Sequence, residues 1–178
     1  IEKLEDFKGT KIRVYGAVPG EALEACGATP IYMPIADVYT ALQRKTFEAA
    51  ISGYIGADSY KWQEVCKYGN EWYMAVPCAL FILASDKAVN ALPQDLQKIL
   101  LDLSKEMEDK AWKAAPDVAT QLRVKMGKEG VEWVTPPAAE VAKARDLGKV
   151  AWNKWETAGG ATCTEVLDLA LKALGRTR

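Results

Sequence analysis

The chain has 178 residues, with 23 Lys+Arg against 24 Asp+Glu, no His and 4 Cys. At 49% apolar and 26% charged residues it reads as a folded globular chain, not a disordered one. A formal net charge of −1 argues against a general nucleic-acid binder, and the lack of His removes Ser-His-Asp triads, Cys-His pairs and His-ligated zinc.

The first half alternates strand and helix signals. Lys11 to Tyr15 is a β-prone run that ends at Gly16, and Pro19-Gly20 begins a connection. Glu21 to Ala25 is helical and stops at Gly27. Ile31 to Pro34 is extended, and Pro30 and Pro34 place it at a sheet edge or a strand end. Asp37 to Arg44 is a helix with Val38, Ala41 and Leu42 on one face. Ala49 to Gly53 is a third extended run, followed by a backbone-approach loop over Gly53 to Gly56 and a helical turn or two from Trp62 to Tyr68. The apolar run from Trp72 to Ala84 predicts a buried central strand. This order is the grammar of an α/β domain with a partly parallel sheet.

The second half is helical. Pro93 suits a first turn, and Leu96, Ile99, Leu100, Leu103, Met107 and Ala111 keep helical spacing. Pro116 predicts a break or kink, and the following helix, Asp117 to Met126, ends at Gly127. Val131 to Val134 predicts one more strand. Ala138 to Trp155 is helical, Gly159-Gly160 turns the chain, and Thr164 to Leu174 forms a last helix. The division expected is 1–71, an α/β segment; 72–92, a crossover strand and loop; and 93–178, long helices with one strand.

Met74 to Ala84 is too short to span a bilayer, which takes roughly 20 apolar residues, and Pro77 interrupts it. The chain opens on Ile1-Glu2-Lys3-Leu4 with neither an initiator Met nor a hydrophobic leader, as expected of a processed, trimmed or engineered end. Cys26, Cys66, Cys78 and Cys163 lack CxxC spacing. They read as small buried hydrophobes, with one disulfide left open in an oxidising compartment. No metal or cofactor is implied.

Arg13 is the residue most suggestive of chemistry. Alternation sets Ile12 and Val14 on one face and Lys11, Arg13 and Tyr15 on the other. The commoner fate of such an arginine is a solvated strand face; the alternative is a guanidinium fork that grips a carboxylate or phosphate bidentately. Trp72 and Tyr73 are either core or cleft lining. Glu106, Glu108 and Asp109 read as a solvated helix face.

Four segments, in order and with matching spacing, resemble one family. Leu4 to Val14 (LEDFKGTKIRV) resembles the "eDlkGlKiRv" stretch of solute-binding proteins of tripartite ATP-independent periplasmic (TRAP) transporters, the dicarboxylate-binding type. Gly27-Ala28-Thr29-Pro30-Ile31 resembles "lGa.pv", Asp37 to Gln43 (DVYTALQ) resembles "evYtALq", and Ala91 to Gln97 (ALPQDLQ) resembles "LPeDlQ". The resemblance implies a periplasmic binding protein type II-like α/β fold, its mixed sheet flanked by helices and followed by long helices. Its two lobes close on a small organic anion that is then delivered to a membrane permease in the periplasm.

By the same resemblance Arg13 grips the ligand carboxylate, Ser52 falls where the family has a ligand-contacting Asn, Ile35 is an apolar pocket residue, and Tyr15 lies two after the arginine. Trp72 and Tyr73 would complete the apolar wall. The family's "vDGqeN" reads Phe47-Glu48-Ala49-Ala50-Ile51-Ser52 here. A hydroxyl in place of an amide, with Tyr15, Tyr54, Trp72 and Tyr73 nearby in sequence, predicts a carboxylate with an aromatic or branched apolar body. Family members carry a long N-terminal segment that supplies most of the first lobe, and most of that lobe is expected to be missing here. Self-association covering its place is one outcome. The main expectation is therefore solute binding and not enzymatic activity, with a small organic acid and a permease as partners and no nucleic acid. The alternatives are an extracytoplasmic ligand-sensor module, a fragment that binds nothing alone, and an enzyme built on paired carboxylates.

Overall fold

A computed structural model describes residues 1–73 and 81–176. A 3-10 turn at Leu4–Phe7 leads into β1 (Lys11–Val14), α1 (Ala17–Ala25), β2 (Thr29–Tyr32), α2 (Ile35–Gln43) and β3 (Ala49–Ala50). The three strands form one parallel sheet in the order β2-β1-β3. Lys11 pairs with Thr29 and Arg13 with Ile31 on one side, and Arg13 with Ala50 on the other. β2, with its Pro30, is an edge strand, as its prolines predict.

Parallel connections are right-handed, so reversing the direction of strand addition sends successive helices to opposite faces. α1 lies on one face with Phe7, Ile12, Val14, Leu23, Cys26 and Ala28. α2 covers the other with Val38, Ala41, Leu42, Phe47 and Trp62, against which Ile31 and Ala50 also pack. α1 ends on schedule because Gly27, at φ 93°, takes the left-handed position after the cap residue Cys26. It starts earlier than predicted: Pro19-Gly20 lies inside its first turns, where a missing N–H costs no helical bond.

Downstream come α3 (Tyr54–Ser59), a 3-10 turn at Trp62–Glu64, β4 (Tyr68–Asn70), α4 (Asp86–Asn90), α5 (Gln94–Lys128), β5 (Glu132–Val134) and α6 (Ala138–Ala173). β4 and β5 pair in parallel, Tyr68 with Glu132 and Asn70 with Val134. α6 packs against α1, with Ala144 buried in the α1-side core and Gly148 facing Ala22.

Four expectations are corrected. Gly53 to Gly56 is not a loop: Gly53 caps α3 and the other three residues begin it. The helical signal from Trp62 to Tyr68 shrinks to one 3-10 turn, because Tyr68 already belongs to a strand. Pro116 does not break its helix: α5 runs through it and past Gly127 to Lys128, the flanking helical hydrogen bonds outweighing one lost N–H. The central strand predicted over Trp72 to Ala84 is not formed by its described ends. Residues 72–73 and 81–84 have no strand pairing, and Phe81, Ile82 and Leu83 are exposed; residues 74–80 lie outside the described part.

The turn predicted at Gly159-Gly160 is a sharp bend inside α6, where Gly160 adopts φ 64°, ψ −150°. The acidic row of α5 is solvated as expected, with Glu106 paired to Lys110, and Glu108 and Asp109 to Lys105. The apolar row of the same helix is exposed too, including Leu96, Ile99, Leu103 and Met107. Among the described residues no helix is long and apolar enough to cross a membrane.

Candidate functional site

In an open parallel sheet the place to look is beyond the carboxyl ends of the strands, where the chain reverses its direction of strand addition. Here that point lies between β1 and β3. Arg13 stands one residue before the end of β1 and is only 3% exposed, so the solvated-face reading fails. The reason is register: Arg13 shares its face with Ile31 and Ala50, and α2 covers that face.

Burying a guanidinium requires acceptors. Arg13 Nε donates to the carbonyl of Met33 at 2.8 Å and Nη1 to the carbonyl of Ile51 at 3.2 Å. Both carbonyls lie just past the ends of β2 and β3, so the three strand ends together hold the fork. Burial lowers the pKa of Arg13, and Tyr15 partly counteracts this by favouring the charged form. A cation held by two neutral carbonyls has no carboxylate counter-ion among the hydrogen bonds and ion pairs of the described residues.

Ser52 follows Ile51, and its hydroxyl lies against Gly56 of α3, where a Cβ would collide with it. Ile35 Cδ1 reaches the same glycine, 3.3 Å from that would-be Cβ. Arg13, Ser52 and Ile35 are thus tied to one another through Ile51 and Gly56. Tyr15 follows directly after β1 and is half exposed. Trp72 is placed elsewhere. It is buried in the α1-side core, its ring edge-on to Phe7 at 4.9 Å and its Nε1 donating to the carbonyl of Ile1 at 3.1 Å. Tyr73 is exposed and lies in the electrostatic reach of Tyr54 and Arg123.

One cluster has no signal in the sequence. Glu71, directly after β4, is a buried carboxylate. Arg123 of α5 donates to it twice, Nε to Oε1 at 2.6 Å and Nη2 to Oε2 at 3.2 Å. The Tyr54 hydroxyl donates to Oε1 at 2.9 Å and Thr135 Oγ1 to Oε2 at 2.7 Å. Arg123 above all, then Thr135 and Tyr54, hold the Glu71 carboxyl at about 2 in spite of its burial. Burial and the facing carboxylate push the Tyr54 hydroxyl up to about 12. Trp133 packs on both partners, edge-on to Tyr54 at 5.4 Å and under the Arg123 guanidinium at 5.3 Å. These partners are 17, 52 and 64 residues from Glu71, a separation no local pattern could reveal. Among the described residues no group of three or more Cys, Asp or Glu side chains could hold a metal.

The parallel sheet with helices on both faces and a buried arginine at its switch point is an α/β lobe. Residues 1–158 match the family of bacterial extracellular solute-binding proteins, family 7, and the chain belongs to it. The chain is 28% identical, over 177 residues, to a solute-binding protein of Albidiferax ferrireducens, covering 96% of this chain and 51% of that one. It superposes on a TRAP periplasmic solute-binding protein from Desulfovibrio salexigens with bound orotic acid, with a TM-score of 0.82 and 25% identity over 95% of this chain and 55% of that one. A Rhodoferax ferrireducens counterpart with bound malonate has a TM-score of 0.80 and 24% identity, covering 98% and 56%. The chain therefore spans about half the length of these relatives. The family is one of transport solute-binding proteins and not an enzyme class, and its TRAP members are periplasmic.

Proposed function

We propose that this chain is the carboxylate-gripping lobe of a TRAP-type solute-binding protein, which captures a small organic acid in the periplasm for a membrane permease. The observation that carries the reading is the Arg13 guanidinium at the switch point, buried and steadied by the carbonyls of Met33 and Ile51. Those two bonds fix the plane of the fork, and the remaining N–H edge meets the ligand carboxylate. Ser52 orients the anion through its hydroxyl. Tyr15 and Ile35 supply an apolar wall, which favours a carboxylate with an aromatic or branched body. The orotate bound in one similar protein is a ring carboxylate of that kind, whereas the malonate bound in another is a small diacid.

The test is calorimetric titration of the 178-residue chain with orotate, malonate and the sugar acid galacturonate, for wild type, Arg13→Ala and Arg13→Lys. Orotate is expected to bind best. Arg13→Ala is expected to abolish measurable binding, and Arg13→Lys to rescue it partly, since charged hydrogen bonds are worth about 1.5–3 kcal/mol each. Undiminished binding by Arg13→Ala would defeat the assignment of the grip. Tight binding of galacturonate alone would defeat the apolar wall.

A further inference from the structure

α3, which carries Gly56 against the Ser52 hydroxyl, has no buried residue and no side-chain cap on its first turn. Its one apolar anchor on the α2-side core is the half-buried Ala57. α3 also lies against α5, and a six-residue helix with no buried residue of its own depends on such neighbours for its place.

Polar tethers act at both of its ends. At the start, Tyr54 donates to Glu71 and rests edge-on against Trp133. At the far end, Asp58 accepts from Lys125 Nζ at 2.6 Å and from Gln63 Nε2 at 3.3 Å. Glu71 is itself immobilised by Arg123 and Thr135, so it is the fixed point and α3 the tethered part.

We propose that Glu71 and Tyr54 are positioning residues for the ligand site: the Glu71 carboxylate fixes Tyr54, Tyr54 fixes the start of α3, and Gly56 of α3 sets the Ser52 hydroxyl and the tip of Ile35. This extends the binding reading above and rests on it for the role of Ser52. It adds a specificity lever remote from the anion, because a shift of α3 moves the Ser52 hydroxyl and the tip of Ile35 together, while Arg13 Nε stays on the carbonyl of Met33.

Tyr54→Phe is the discriminating variant, since it removes one hydroxyl and keeps the ring on Trp133. Two readouts are needed. The first is amide hydrogen exchange, with no ligand required. The Ala57 and Tyr60 amides, which bond the carbonyls of Gly53 and Gly56, are expected to lose protection by about tenfold in Tyr54→Phe and in Glu71→Gln, while the amides of Val38 to Leu42 stay within about twofold. The second is a double-mutant cycle on orotate binding. Tyr54→Phe is expected to weaken binding about threefold or more when Ser52 is present and to have a clearly smaller effect in a Ser52→Ala background, where only the contribution through Ile35 remains.

Unchanged exchange at Ala57 and Tyr60 in both variants overturns the proposal, as does an additive cycle or an equal loss of protection throughout the chain. If wild type binds neither orotate nor malonate, the reading that this chain grips a carboxylate on its own fails, and the exchange result alone decides whether Glu71 and Tyr54 place α3.

Discussion

Arg123 meets Glu71 edge to edge, with two N–H groups on two carboxylate oxygens, and so joins the end of β4 to the last third of α5. The pair is closed on one side by Tyr54 and on the other by Thr135. Its strength has a pH signature.

The Glu71 carboxyl is held at about 2 in the folded chain, whereas an unconstrained glutamate titrates near ~4.3. A depressed carboxyl contributes stability that is fully present above its unfolded pKa and is lost as pH falls toward its folded one. The loss therefore runs from about pH 4.3 down to pH 2 and is on the order of 2 kcal/mol, allowing for the solvent that reaches the guanidinium. Thermal unfolding followed from neutral pH downward should show wild type losing melting temperature steeply in that window. Glu71→Gln should start lower and fall less. Asp6 and Glu140 are also held low, but they titrate in both proteins and cancel. Parallel acid limbs would remove Glu71 as their source.

Arg13→Ala should cost stability as well as affinity. It strands the carbonyls of Met33 and Ile51 in a covered part of the sheet, at a cost of about 1–3 kcal/mol. Urea denaturation gives the value, and a midpoint equal to wild type would mean that water replaces the guanidinium on both carbonyls. Arg13→Lys should fall between the two.

Gly69→Ala should destabilise the β4–β5 pair. A Cβ there would overlap the six-membered ring of Trp133, which is held by its bond to the Arg123 carbonyl at 3.0 Å. Overpacking of this kind costs about 1–3 kcal/mol. The check is a urea midpoint together with the near-ultraviolet dichroism of the tryptophans. A neutral outcome would show that the ring can swing aside.

Pro116→Ala should raise stability. α5 runs through position 116 in an exposed stretch, so alanine restores one helical N–H and removes a clash, a gain of about 1–3 kcal/mol. Far-ultraviolet dichroism and the melting midpoint should both rise. A lower midpoint would mean that the proline serves the fold in some other way.

The β1-α1-β2-α2-β3 order was legible because its signals are local: a β-prone run, a Gly at a helix end, prolines at an edge, an i, i+3, i+4 apolar face. Arg13 was visible as an oddity, but its burial depended on α2 covering that face, which strand alternation alone cannot tell. The two glycines of Gly53 to Gly56 read as a loop, but the segment is helical and its residues Tyr54 and Asp58 bond remote partners that no local pattern reveals. β4 escaped notice because Tyr68-Gly69-Asn70 has no β-prone run of its own and becomes a strand by pairing with β5. Glu71 was invisible for the same reason, since each partner arrives from a remote part of the chain. Trp72 reads as either core or cleft lining in the sequence, and in the fold it packs on Phe7 in the α1-side core.

The pairing of Tyr68 with Glu132 also sets an order of assembly. The three-stranded sheet is built within the first fifty residues and closes only short loops. β4 pairs with a strand that lies beyond the whole of α5, and closing so long a stretch of chain is slower than closing short loops. Folding should thus show a fast phase for the Arg13 sheet and a later one, reported by Trp133 fluorescence, in which the Glu71 cluster locks.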